Sequence, residues 1–405
     1  MKYFRTIYKL SFYVITLITF VFGGAFQYLF GISNTLITFL IVVLLHFIYF
    51  LYAFLRRKVV LNGVVVWSIC YLIVIIVSAI LNRSNLISTL IYFIFPALPL
   101  GVFLFCYINF KEGIIKKAYI YKLFYYIALL QFPILLLQKN FYNFFIQFNN
   151  SGQKIDSYDF MFGSFFIKSD HSLAIFIIFS IIIILVNKKD KLFKFPILSV
   201  FYLAISVFLT ESNISKLFLS IILTISISIP IYKKYKNSLS FKLIAIIFGG
   251  GIVLFLYSLR GEEFIKTRLG GAFESQYSLK SAEKQFELTT AKRGQILIVV
   301  FNTLETKWIG EGPYSYFNIL TGQFTKTKHF TQLIWTYFDL GVLGLIVVMG
   351  LLISIIKYLD IDKGIPFYAF LLIFTVYAFY TTIFSDIAIM FSLIMTFNKK
   401  SLNKL

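Results

Sequence analysis

Arg260, Arg268 and Arg293 are the only arginines after Arg83, and all three fall in one stretch, residues 259–328, although lysine supplies positive charge freely elsewhere. A guanidinium is a fixed fork that grips phosphate through two parallel hydrogen bonds, whereas an ammonium is a point charge. The restriction points to binding of a phosphate or diphosphate; the competing reading is a solvated loop with arbitrary basic residues. His329 follows directly and is one of three histidines, with His46 and His171. Near neutral pH its imidazole can act as a general base or hydrogen-bond an anionic oxygen. The alternative is an interfacial side chain bonded to a lipid headgroup.

Further ionisable residues stand where apolar segments begin: Asp170 with His171, Glu211 with Lys216, and Asp339 about two and a half turns into the segment after His329. Such groups are costly in a membrane span and default to functional candidates with a named partner. Lys216 pairs either with Glu211 or with a substrate phosphate. Asp386 stands alone and reads as the marker of a turn. The short turn at 31–33 (GIS) carries no carboxylate pair, and the Asp-Ile-Asp at 360–362 falls on the other side of the membrane. A metal-dependent transfer at the first face therefore lacks ligands, and neither metal nor cofactor is expected.

These residues need elements to position them. In RGQILIVVFNTLETKW (293–308), Ile296, Val299, Val300 and Leu304 recur at helical spacing, predicting an amphipathic helix on the membrane surface with Arg293 at its start. IGEGPYSYFN (309–318) follows, where Gly310, Gly312 and Pro313 demand a tight turn around Glu311, itself a candidate contact for substrate. Loops longer than about 15 residues are usually functional or disordered, and the apolar pattern inside 259–328 argues against disorder.

The surroundings are membrane. Of 405 residues 59% are hydrophobic and 14% charged, with a mean hydropathy of +0.86, against roughly 25% charged in soluble chains. Runs such as LAIFIIFSIIIILV (173–186) predict helices rather than the alternating strands of a barrel. At about 20 apolar residues per span, candidates lie near 12–30, 34–55, 59–81, 87–108, 118–138, 170–187, 195–210, 213–232, 241–258, 332–356, 366–382 and 384–398, the fourth kinked by Pro96 and Pro99. The expected fold is an all-α integral membrane protein of about 12 transmembrane helices with one long external loop carrying a surface helix. Its parts are a bundle of about nine spans over 1–258, the loop 259–328, and C-terminal spans over 329–405. Cys70 and Cys106 fall inside apolar segments as small hydrophobes. The basic start MKYFRTIYKL lacks a small-residue cleavage site, predicting an uncleaved first span.

A net charge of +21 suggests nucleic acid in a soluble chain, but here 23 of the 38 basic residues fall in alternate connections with the two termini. The positive-inside rule then puts both termini in the cytoplasm, as for a multi-pass protein of a bacterial inner (plasma) membrane, and faces the long loop outward. No nucleic-acid partner is expected. No internal repeat of broken segments is visible, which weighs against a repeat-built transporter.

With those residues in hand, the chain resembles the bacterial O-antigen and capsular polysaccharide polymerases and the related O-antigen ligases. The resemblance rests on Arg293 opening a helix that ends in Trp308, on the turn IGEGPYSYFN, on His329 before a span and on DLGVLGL at 339–345. GSFFIKSDHSLAIF (163–176) and LTESNISKLFLSI (209–221) resemble the family's lead-ins to two mid-chain helices. The chain departs from the pattern at Lys216, where the family has arginine, and at Phe330, where it has asparagine.

The resemblance implies a GT-C-like fold and metal-independent, inverting transfer of a glycan from undecaprenyl diphosphate to a sugar hydroxyl at the outer face. In that reading Arg293 and His329 are catalytic, while Arg260, Arg268, Lys216, Glu311, Asp339 and His171 hold the diphosphate or glycan. The implied partners are the lipid-linked glycan, membrane lipids and a chain-length regulator. A polymerase is the first expectation, an O-antigen ligase the second. A lipid-linked oligosaccharide flippase and an assembly factor are the rivals outside the enzyme class.

Overall fold

The computed structural model describes residues 2–57, 59–187, 192–210, 212–235, 307–315, 332–359, 371, 372, 375 and 381–397. Among them the regular structure is helical, with no strand, in an all-α multi-pass membrane protein. Among the described residues, six helices are long and apolar enough to cross a membrane: α1 (Lys2–Phe30), α2 (Asn34–Arg56), α3 (Gly63–Leu81), α4 (Leu86–Glu112), α5 (Lys117–Asn140) and, counted from Trp335, α9 (Gln332–Tyr358). Shorter apolar helices are α6 (Asp170–Val186), α7 (Pro196–Leu209), the apolar part of α8 (Asn213–Tyr235) and α10 (Ile387–Phe397). These coincide with all the expected spans except 241–258, outside the described residues, and 366–382, most of which is.

Polar residues set the helix bounds. Ser33, Asn62 and Asn85 each place a side-chain oxygen on an orphan amide of the first turn of α2, α3 or α4. Gly31 and Gly113 end α1 and α4 in the left-handed conformation at φ 67° and 58°. The helical run of α4 is interrupted at Phe93, in the turn before Pro96, which has no N–H to donate to the Tyr92 carbonyl, while Pro99 lies within the helix that resumes at Ile94.

Burial divides the bundle into inner and outer helices. Thirteen of the seventeen residues of α6 and all eleven of α10 are buried, whereas α2, α3 and α5 leave Phe47, Phe50, Ile73 and Leu130 exposed. At 1.5 Å per residue α10 is only about 16 Å long, half a bilayer core, so it is stabilised by protein on every side rather than by lipid. A π-helical turn interrupts α1 at Ile18–Phe22. There Ser164 Oγ donates to the Phe20 carbonyl at 2.5 Å and Gly24 N–H donates to the Ser164 carbonyl at 3.2 Å. A Cβ on Gly24 would stand 2.1 Å from the Phe165 carbonyl oxygen, so only glycine lets residues 162–166 lie on α1. Segment 160–169 is thereby held against α1 and delivers the start of α6. At the opposite end, Arg56 pairs with Glu112 at 2.7 Å and Arg5 donates to the Glu112 carbonyl at 3.3 Å, tying α1, α2 and α4.

Candidate functional site

Two polar assemblies occupy the same end of the bundle. The first begins with a break in α9. Gly341 has φ 71° and ψ −158°, a conformation essentially restricted to glycine. The break removes the helical partners of the Phe338 and Asp339 carbonyls and of the Val342 and Leu343 amides. Residues 307–312 replace them. Glu311 and Gly312 N–H donate to the Phe338 and Asp339 carbonyls, both at 2.9 Å, while the Lys307 and Trp308 carbonyls accept from Val342 and Leu343 N–H at 3.0 and 3.2 Å. Unpaired backbone is not tolerated in hydrocarbon, and a broken helix persists only where other protein satisfies it.

Further groups tighten this strap. Ser78 Oγ donates to the Asp339 carbonyl at 2.9 Å, and Asn82 Nδ2 donates to the Gly310 carbonyl at 2.8 Å. A Cβ on Gly310 would meet the Phe338 carbonyl oxygen at 2.3 Å, while Gly312 turns at φ 102°. The fully buried Asp339 carboxylate accepts from Tyr314 N–H and Ser315 Oγ, each at 3.0 Å. The Tyr314 ring packs edge-on against Tyr92 and Trp335 at 5.5 and 5.2 Å. Burial first, then the Asp339 charge, pushes the Tyr314 phenol up to about 12. Asp339 and Glu311, separate candidates in the sequence, thus belong to one lock, with Glu311 ion-paired to Lys307.

The second assembly gathers at the starts of α6, α8 and α10. His171 Nδ1 lies 2.5 Å from Ser212 Oγ and 3.5 Å from Asp170 Oδ2. Ser212 bonds onward to Ser215 Oγ at 2.6 Å, and its carbonyl accepts Lys216 N–H at 3.1 Å. Ser172 donates its hydroxyl to Asp386, whose other oxygen accepts Ile389 N–H at 3.0 Å and so caps α10. Gln332 Oε1, at the start of α9, accepts Phe384 N–H at 3.1 Å. Asp386, expected to stand alone, is instead the junction of α6 and α10. Enclosure by protein raises its carboxyl above the usual value, opposed by Ser172, the Ile389 and Ala388 amides and the nearby His171. Beside it lies a cavity of about 110 Å³ bounded by Asn34, Ser169, Ser172, Thr382, Ser385 and Asp386.

Of the residues singled out from sequence, the structure joins His171, Asp170 and Lys216 in one cluster, and Asp339 and Glu311 in the other. Arg260, Arg268, Arg293, His329, Glu211 and most of the long loop lie outside the described residues, as does 293–306 of the surface helix expected over 293–308; Lys307 and Trp308, its expected end, are not helical but extend along the break in α9, where their carbonyls are needed. The stretches 163–176 and 209–221, noted separately in the sequence, meet at the bond between His171 and Ser212. Ser172, Ser212, Ser215 and Gln332 carry no signal as isolated polar residues at helix starts. Asp386 does, as the sole acidic residue after Asp362, although the sequence alone marks only a turn there.

Among the described residues no group of three or more His, Cys, Asp or Glu side chains is placed to hold a metal ion. No family model matches the chain, and neither a curated protein nor a solved structure similar to it was found.

Proposed function

We propose that the chain is a polysaccharide polymerase of the bacterial plasma membrane, moving a glycan from undecaprenyl diphosphate onto a new lipid-linked repeat unit at the outer face. The observation that carries this reading is the joining of the α6 and α8 starts at His171 and Ser212, one turn before Lys216, next to the α6–α10 junction at Ser172 and Asp386, which borders a polar cavity. Helix starts present orphan N–H groups and the positive end of the helix dipole, the features that hold phosphate groups. The charge rule assigns this end to the outside.

In this reading the acceptor hydroxyl oxygen bonds to the anomeric carbon as the bond from that carbon to the diphosphate oxygen breaks, inverting the centre. The electron pair leaves with undecaprenyl diphosphate and the hydroxyl proton passes to a base. Lys216, Arg260, Arg268 and Arg293 are assigned to the diphosphate, where fixed positive charge stabilises the departing anion. His329, three residues before Gln332, is assigned as the base.

Glycan analysis of a deletion strain tests the reading. Single-repeat products on the lipid carrier are expected, and wild-type protein restores long chains while Arg293→Ala and His329→Ala, at equal protein level, do not. Unattached full-length polymer would indicate a ligase instead. Repeat units trapped on the inner leaflet would indicate a flippase, and unaltered chain length would overturn an enzymatic role.

A further inference from the structure

We infer that the cavity beside Asp386 is a subsite for the hydroxyl-bearing edge of a single sugar ring. It lies between the start of α2, the turn before α6 and the turn before α10, and its lining is mainly polar, from Asn34, Ser169, Thr382, Ser385 and Asp386. Its volume of about 110 Å³ holds several water-sized groups, at roughly 30 Å³ of liquid per water. Pockets for whole drug-sized ligands run to roughly 300–1,000 Å³, so one ring edge fits and an oligosaccharide does not.

The lining offers both hydrogen-bonding senses. Asn34 Oδ1 accepts the Thr38 hydroxyl at 3.1 Å, which leaves the amide hydrogens of Asn34 to donate. Ser385 Oγ donates to the Thr382 carbonyl at 3.0 Å and keeps its lone pairs to accept. Asp386 takes Ser172 and the Ile389 and Ala388 amides, and an ionised carboxylate has about four acceptor positions.

Charge selects among ligands. The starts of α2, α6 and α10 turn their positive dipole ends toward the cavity, which opposes a cation, and the Asp386 carboxylate opposes an anion. A neutral polyol satisfies both. Ser172 adjoins His171, so the subsite borders the place assigned to the diphosphate. Naming the sugar as part of the transferred or accepting glycan rests on the polymerase reading; the binding of a sugar does not.

Saturation-transfer NMR on the purified full-length protein in detergent tests this, with methyl glycosides of hexoses, N-acetylhexosamines and 6-deoxyhexoses as probes and inorganic diphosphate in parallel. At least one glycoside is expected to bind, and Asn34→Leu and Ser385→Val should each weaken it at least tenfold with thermal melting unchanged. Ser169→Val serves as the third variant should either of those fail to fold. Absence of binding across the panel, or binding that survives the folded variants, overturns the subsite. Glycoside binding without diphosphate binding would keep the subsite and count against the polymerase reading instead.

Discussion

Two carboxylates at one end of the bundle do different work. Asp386 is raised in the folded chain above its ordinary 3.8, so between that value and the native one the folded state binds more protons than the unfolded state. Stability therefore falls as pH rises through that window. Asp386→Asn keeps an oxygen for the Ile389 amide and removes the ionisation. It should abolish this pH dependence and melt higher than wild type above the window, measured by thermal unfolding in detergent. Asp339, whose two oxygens hold Tyr314 and Ser315, is a fastener. Its replacement by alanine strands a part-buried amide and hydroxyl, and should cost roughly 1–3 kcal/mol, with Asp339→Asn losing less than half as much. Equal melting of Asp339→Ala and wild type would remove it from the lock. Asp339 was legible as a costly ionisable residue in a span, but its task was not, because Tyr314 and Ser315 lie 25 and 24 positions upstream.

At the scale of elements, the hydropathy runs placed the helices well because a bilayer demands long apolar segments, and Asn62 explains why α3 starts at Gly63 rather than 59. The same pattern does not separate an enclosed helix from a lipid-facing one: α10 and α2 are alike in composition, yet α10 is wholly buried. Nor does it show the break in α9, where LGVLGL (340–345) after Asp339 reads as a continuous apolar run. The structure gives both glycines of that stretch a reason. Gly341 adopts the conformation that opens the helix, and Gly344 lies where a Cβ would come within 2.4 Å of Leu340. Gly341→Ala should close the break or abolish folding, read as loss of folded protein after detergent extraction. Asn82→Ala, which removes the amide's bonds to the Gly310 carbonyl and to the Ser78 carbonyl of its own helix, should be tolerated and should only speed protease cleavage near Trp308.

For the whole molecule, the division of charge makes a direct claim about sidedness. In a chain with Cys70 and Cys106 replaced by alanine, a cysteine at Gln153, between α5 and α6, should react with an impermeant maleimide on intact cells. One at Lys116, between α4 and α5, should react only after permeabilisation; the reverse pattern would turn the molecule over. The two connections flank a single helix, so the pair cannot both face one side unless α5 fails to cross. Both polar assemblies share the Gln153 side, the end where the starts of α6, α8, α9 and α10 meet.

The strap across α9 also bears on how the chain is made. Residues 307–312 leave the ribosome before α9, yet the four backbone groups they satisfy exist only once α9 has broken. Each such group left bare in hydrocarbon costs several kcal/mol. An unbroken rod is therefore the cheaper form to hand from the translocon to the bilayer, and the rod bends as the strap docks. Maturation of this end of the bundle then finishes with an exchange of hydrogen-bond partners inside a helix already inserted.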